Sequence, residues 1–241
     1  MCTGGGSGIG RAVCQVLARE GAKVAVVDQN EAGANETAQL IGADASKAYT
    51  TDVSSSSSVR ELLTNVQTQF SDVPTVLVNS AGITRDAFLL KMKEENFDKV
   101  IDVNLKGTFL VTQALARMIL ENKIQNASFV NIASIVGKIG NIGQSNYAPS
   151  KAGVLALTKT AALEFGRMGI RVNAVVPGFI DTPMTSTIPD KVKDSLLQLV
   201  AMGRMGRPEE IAEACLFLAS DRSSYMTGTS IDVTGGMPVG L

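Results

Sequence analysis

Apolar and polar positions along the 241-residue chain fall into two alternating patterns. Short β-branched runs occur at Lys23–Asp28 (KVAVVD), Lys47–Val53 (KAYTTDV), Thr75–Ala81 (TVLVNSA), Ser128–Ser134 (SFVNIAS), Arg171–Gly178 (RVNAVVPG) and Ser230–Gly236 (SIDVTGG). Their near-continuous apolar character predicts strands buried on both faces, as in a parallel sheet. Helical patterns begin near Gly8, Glu31, Ser55, Glu94, Ser145 and Pro208. Strand–helix alternation throughout predicts a doubly wound α/β fold: a Rossmann-type parallel sheet flanked by helices, in one domain over residues 1–241. The serine tract Ser54–Ser58 reads as a solvated loop that supplies a helix N-cap.

Composition narrows the chemistry. Net charge is −1, which gives no electrostatic case for nucleic acid or an anionic membrane. No apolar run approaches the roughly 18 residues of a membrane-spanning helix, and the first residues lack the pattern of a secretory signal. Cys2, Cys14 and Cys215 form no CxxC pair and read as small apolar filler in a reducing compartment, with Cys2 near a frayed end. Histidine is absent. That excludes a Ser-His-Asp triad, a histidine base and an HExxH zinc site, and no metal site is expected.

Thr3-Gly4-Gly5-Gly6-Ser7-Gly8-Ile9-Gly10 precedes an amphipathic helical segment that Gly21 closes. Glycines permit positive φ and close backbone approach, while a helix N-terminus directs N–H groups and a positive dipole end at phosphate. The cluster does not match GxGxxG, so its context carries the reading. The strand that follows ends on Asp28, near the ~20-residue offset of a ribose-binding acid. Asp28 would accept bonds from ribose hydroxyls and repel a 2′-phosphate, and Ser7, Gln29 and Asn30 supply no cation. The expected cofactor is NAD(H) rather than NADP(H); the alternative is that Asp28 is an ordinary loop acid. In such folds the strand before the glycine loop is central, yet only Met1 and Cys2 precede Thr3 here. Four missing apolar side chains at about 1.5–3 kcal/mol each would forfeit roughly 6–12 kcal/mol. A total stability is about 5–15 kcal/mol. The expectation is therefore a truncated first strand, with further apolar residues upstream in the natural protein.

The TGxxxGxG spacing resembles the short-chain dehydrogenase/reductase family, and further motifs follow in that family's order. Asp52-Val53 stands where the family contacts adenine. Asn79-Ser80-Ala81-Gly82 replaces NNAG, with serine for the second asparagine. Asn104 lies in VNLKG, Ser134 closes the fifth strand, and Tyr147 and Lys151 form YxxxK. Pro177, Gly178, Ile180 and Thr182 follow the sixth strand, where the family closes over the nicotinamide. The resemblance spans essentially the whole chain and implies a dinucleotide-binding catalytic domain. It assigns Gly4, Gly6, Ser7, Gly8, Ile9, Gly10, Asp28, Asp52, Val53, Asn79, Ala81, Gly82, Tyr147, Lys151, Pro177, Gly178, Ile180 and Thr182 to the cofactor. Asn104, Ser134, Tyr147 and Lys151 are assigned to catalysis.

Tyr147 and Lys151 are four positions apart and share a face on a helix, with Pro149 tolerable in its first turn. Tyrosine has a pKa of about 10. Lys151 and an oxidised nicotinamide are both expected to favour the phenolate, while Ser134 holds and polarises the substrate oxygen. In the family the lysine also binds the nicotinamide ribose, and the Asn104 equivalent holds a proton-relaying water. Taken singly, each of these residues also has a plain structural reading. Together they match the family's order and its thirteen-residue offset from serine to tyrosine.

Segments such as GFIDTPMT and SIVGKIGNIGQSNYAPSKAGV resemble the 3-oxoacyl-carrier-protein reductases and, with Asp28, the type 8 group of 17-beta-hydroxysteroid dehydrogenases. The latter are mitochondrial and prefer NAD. The resemblance implies oxidation of (3R)-3-hydroxyacyl-CoA or of a 17β-hydroxysteroid such as estradiol, in the mitochondrial matrix and linked to fatty-acid synthesis; cytoplasm is the alternative location. Reduction of a 3-oxoacyl carrier-protein thioester is the alternative activity. Ser128 and Met168 stand near positions where the reductases dock their acidic carrier with basic residues, while Lys123, Arg167 and Arg171 keep the region basic. Thr185–Met205 has amphipathic spacing and reads as a substrate lid within about 183–207. The alternative is a packing helix. The family implies a homotetramer, or a heterotetramer with a related carbonyl reductase, with the NLKGTFLVTQALARMI and Tyr147–Gly166 helices at an interface. A non-catalytic cofactor-binding subunit is the alternative of another class.

Overall fold

A computed structural model describes residues 1–238. Seven strands form one parallel sheet in the order β3-β2-β1-β4-β5-β6-β7. They are β1 (Cys2–Thr3), β2 (Val24–Asp28), β3 (Ser46–Thr50), β4 (Val76–Asn79), β5 (Ala127–Ile132), β6 (Ile170–Pro177) and β7 (Ser230–Val233). Six of these are the predicted runs, with their ends shifted by up to three residues. Helices α1 (Gly8–Arg19), α2 (Glu31–Ile41), α3 (Ser56–Phe70), α4 (Glu94–Ile101), α5 (Gly107–Glu121), α6 (Val136–Ile139), α7 (Tyr147–Phe165), α8 (Pro183–Ser186), α9 (Asp190–Leu197) and α10 (Pro208–Ala219) connect them.

The inner strands bury both faces, which is why their sequences are apolar without alternation, while β3 and β7 at the edges are only partly buried. On one face, Val13, Cys14 and Leu17 of α1 and Ile211, Cys215 and Leu218 of α10 pack on Val26, Val78 and Val130. On the other, Leu62, Leu63 and Val66 of α3 and Val111, Leu115 and Ile119 of α5 pack on Val27, Leu77 and Phe129. All three cysteines are buried, Cys2 and Cys215 on the same face as Cys14.

The two-residue β1 occupies the centre of the sheet. Cys2 pairs with Val26 and Val78, and Thr3 pairs with Val27 and Asn79. The Met1 ammonium donates to Val76 O at 2.8 Å, and burial lowers its pKa. Cys2, expected near a frayed end, is instead fully buried, because both neighbouring strands hydrogen-bond across it.

Of two local expectations, one holds and one does not. The serine tract does cap α3, with Ser55 Oγ accepting from Ser58 N at 3.3 Å. The expected amphipathic run Thr185–Met205 is broken into α8 and α9, with Pro189 at the cap of α9. The chain on either side of this excursion is tied together at its base. Asp181 N donates to Gly206 O, and Gly206 N donates to Phe179 O, both at 2.9 Å.

Candidate active site

The strand order reverses between β1 and β4, and the carboxyl ends of the strands open there onto a cleft of about 310 Å³. Such a switch point is where loops diverge and leave a crevice. The cleft is built from the glycine loop, the β2 and β3 ends, the β4 loop, the start of α7 and the β6–α8 connection.

Gly4, Ser7, Gly8, Ile9 and Gly10 line its floor. Ser7 caps α1 with extended backbone and no side-chain bond, and the first turn carries no acidic residue. The free N–H groups of that turn are thus left for an anion. A Cβ on Gly10 would lie 2.0 Å from Gly4 O, so the loop can fold back on the helix only with glycine there.

Gly6 does not line the cleft, contrary to expectation. Its N–H donates to Asp28 Oδ2 at 2.9 Å, and a Cβ there would meet that same oxygen at 2.9 Å. Its role is to admit and fix the acid. Asn30 N donates to Asp28 Oδ1 at 2.9 Å, so both carboxylate oxygens are held at the cleft edge. Ser54 N and Oγ both donate to Asp52 Oδ1, at 2.9 and 2.6 Å, and the hydroxyl bond is the main cause of the lowered Asp52 pKa. The serine tract therefore orients a cleft residue, a function its low complexity does not reveal.

Val53, Ala81, Gly82, Pro177, Gly178, Ile180 and Thr182 line the cleft as expected, together with Ser80, Ile83, Pro183 and Met184. Besides Gly6, two expected residues do not. Asn79 points through the sheet to the α5–α7 side, where its Nδ2 donates to Thr112 Oγ1 at 3.0 Å and to Asn131 Oδ1 at 2.9 Å. Strand alternation sends its side chain away from the cleft, which is lined by the residues just after it. Asn104 lies in a π turn (Asp102–Lys106) joining α4 to α5 and is fully buried. Its Oδ1 accepts from Ile83 N at 2.8 Å, and its Nδ2 donates to Ile83 O at 3.0 Å and to Ser150 Oγ at 3.1 Å. Its side chain is thus committed to positioning the β4 loop.

Ser134, Tyr147 and Lys151 converge on the cleft. Tyr147 opens α7, so Pro149 falls in the first turn, where its missing N–H costs nothing. Buried Asn146 accepts from Tyr147 N at 2.7 Å and donates to Arg85 O at 2.8 Å. Ser150 Oγ donates to Tyr147 O at 2.7 Å. Asn146 and Ser150 were not singled out in the sequence; their only signal is adjacency to the YxxxK pair.

Lys151 is buried, with Nζ donating to Ile132 O at 2.8 Å and 5.7 Å from the Tyr147 ring centroid. Burial pulls the Lys151 ammonium down to about 8 and pushes the Tyr147 phenol up to about 12. A bond from Ser134 offsets part of the tyrosine shift, and Asp86 adds to it. The expectation that Lys151 lowers the tyrosine is not met by the chain alone, since desolvation dominates both groups.

The proposed carrier-docking region changes character. Ser128 is buried and donates to Leu218 O at 2.8 Å. Arg171 is spent on the end of α10, donating to Leu218 O and Ser220 O at 2.9 and 3.1 Å. Among the described residues no His/Cys/Asp/Glu cluster could hold a metal, and no helix is long and apolar enough to cross a membrane.

A family model described as enoyl-(acyl carrier protein) reductase matches residues 4–238. A human (Homo sapiens) (3R)-3-hydroxyacyl-CoA dehydrogenase is 54% identical, the match covering 98% of this chain and 94% of the relative. A 3-oxoacyl-(acyl-carrier-protein) reductase of Thermotoga maritima is 45% identical over 99% of this chain and 97% of its own. The solved structure of levodione reductase superposes with a TM-score of 0.91 at 35% identity, covering 97% of this chain and 95% of that one.

Proposed function

The chain belongs to the short-chain dehydrogenase/reductase family, enzymes acting on CH–OH groups with a nicotinamide cofactor, and on that premise we propose that it interconverts (3R)-3-hydroxyacyl-CoA and 3-oxoacyl-CoA with NAD(H). The observation that carries this reading is the convergence of Ser134, Tyr147 and Lys151 beside the glycine-loop cleft.

The cleft residues fit a dinucleotide. The uncapped first turn of α1 suits a pyrophosphate, the fixed Asp28 carboxylate suits ribose hydroxyls, and Asp52 and Val53 flank an adenine position. A bound nicotinamide supplies the hydride donor or acceptor for the substrate carbon. The protein manages the proton. Ser134 Oγ donates to the substrate oxygen, and the Tyr147 hydroxyl exchanges a proton with that same oxygen. With its pKa pushed to about 12, Tyr147 is protonated at neutral pH and set to donate to a carbonyl oxygen as charge develops. Lys151, with Nζ 5.7 Å from the Tyr147 ring centroid, places a positive charge where it would steady the phenolate left when Tyr147 gives up its proton.

The fixed carboxylate of Asp28 at the cleft edge supports NAD over NADP. Burial of Ser128 and the bonding of part-buried Arg171 to the end of α10 favour a coenzyme A thioester over a carrier-protein thioester, while Lys123 and Arg167 stay exposed. The Thr185–Met205 excursion would cover the acyl chain, since Met184, Val192, Leu199 and Met202 expose apolar surface around it. Exposed Phe109 on α5 and Leu163 on α7 support a homotetramer, or a heterotetramer with a related reductase.

The test is NAD⁺-linked oxidation of a (3R)-3-hydroxyacyl-CoA and of estradiol by one preparation of the purified chain. Turnover of the acyl thioester, lost in Tyr147→Phe with NADH binding retained, supports the assignment. Estradiol as the only substrate overturns the acyl reading. Binding without turnover by the chain alone would make it a cofactor-binding subunit.

A further inference from the structure

We propose that Glu36, on α2, is a specificity-determining residue that keeps the cleft selective for NAD(H) by neutralising Arg11. This inference rests on the reading of the cleft as an NAD(H) site.

Arg11 lies behind the glycine loop. Its Nη2 donates to Gly6 O at 2.6 Å and pairs with Glu36 Oε2, while its Nε donates to Thr37 Oγ1 at 3.0 Å. Gly6 is also the residue whose N–H holds Asp28 Oδ2 at 2.9 Å. One glycine thus links the acid and the base. Following the bonds through that residue places Nη2 within about 10 Å of the Asp28 carboxylate. Gly33, Glu36 and Thr37 share one face of α2 by their spacing. Gly33 packs so closely that a Cβ on it would lie 3.0 Å from Gly6 O. The helix therefore grips the loop at the ribose end of the cleft.

The charges at this end of the cleft are Asp28, Arg11, Glu36 and Glu31 in the first turn of α2, with neutral Gln29 and Asn30 between the acids. Arg11 and Glu36 cancel as a pair, which leaves the negative charge of Asp28 and Glu31 at the position of a ribose 2′ group, where it repels a phosphate. Removing the Glu36 carboxylate leaves an uncompensated guanidinium within about 10 Å of Asp28, its positive field offsetting that acid's charge. Arginine binds phosphate through planar, charge-assisted bonds. The Arg11 and Glu36 side chains are 25% and 60% exposed, so their pairing contributes little to stability. Its effect on charge still reaches a site about one Debye length away.

The experiment titrates NADH and NADPH into the wild-type protein, Glu36→Ala and Glu36→Ala/Arg11→Met, following cofactor fluorescence, with kcat/KM for both cofactors and thermal unfolding measured alongside. Glu36→Ala should tighten NADPH binding about threefold, leave NADH binding unchanged, and keep the wild-type melting temperature. The double variant should return the ratio to the wild-type value. If Glu36→Ala leaves the NADPH/NADH ratio unmoved, or weakens both cofactors equally, Glu36 is a structural residue and the proposal is overturned. The same holds if the double variant keeps the altered ratio. A wild-type protein that itself prefers NADPH defeats the NAD(H) reading separately, whichever way the variants move.

Discussion

Replacing Lys151 with methionine removes the ammonium and keeps a side chain of similar length in the same buried slot. In the wild-type fold, burial lowers the lysine from 10.5 to about 8. The native state then binds fewer protons than the unfolded chain between those values, so stability rises with pH across that window. Below pH 8 the full penalty is present, about 3 kcal/mol for a shift of this size. By pH 10 most of it is relieved. Wild type should therefore gain about 2–3 kcal/mol relative to Lys151→Met between pH 7 and pH 10. The lost bond to Ile132 O lowers the variant by a similar amount at every pH, so it leaves the difference in slope intact. Tyr147 titrates higher, and the opposing loss of stability it causes above pH 10 is shared by both proteins. Urea unfolding at fixed protein concentration, repeated at half-unit pH steps, measures the difference. A flat difference from pH 7 to 10 would refute the assignment of Lys151 as a desolvated amine. The variant should also lose turnover, so a residue that the active site needs is one the apo fold tolerates at a cost.

Asn146→Ala removes the cap on Tyr147 N and the tie to Arg85 O. It should lower kcat about tenfold while leaving KM for the cofactor near wild type, with a stability loss of about 1–3 kcal/mol. An unchanged kcat alongside that stability loss would make Asn146 purely structural. The thiols give an independent check on the centre of the sheet. A bond with Cys14, then burial, pushes Cys2 well up, and burial pushes Cys215 to about 12. All three buried cysteines should resist an aromatic disulfide reagent in the native protein and react together in denaturant. Rapid labelling of one native thiol would contradict the burial of β1 and its neighbours.

Elements were legible in the sequence because their signals are local. Burial on both sheet faces makes KVAVVD and RVNAVVPG continuous apolar runs, and helical spacing puts Tyr147 and Lys151 on one face wherever the helix lies. The glycine loop, Asp28 and the lack of histidine likewise narrowed the chemistry before any contact was known. What side chains touch was decided only by tertiary closure. Asn79 and Asn104 share the chain order of cleft residues, yet one faces the α5–α7 side and the other ties down Ile83. Arg171 looks like a surface cation and instead closes the end of α10. Ser54 aims Asp52, and Glu36 meets Arg11 from 25 residues away. The proton affinities of Tyr147 and Lys151 changed most, because they depend on how much water the assembled walls exclude, and residue spacing does not specify that. Periodicity fixes which way a side chain faces; only the closed fold fixes what it meets there and how far it is desolvated.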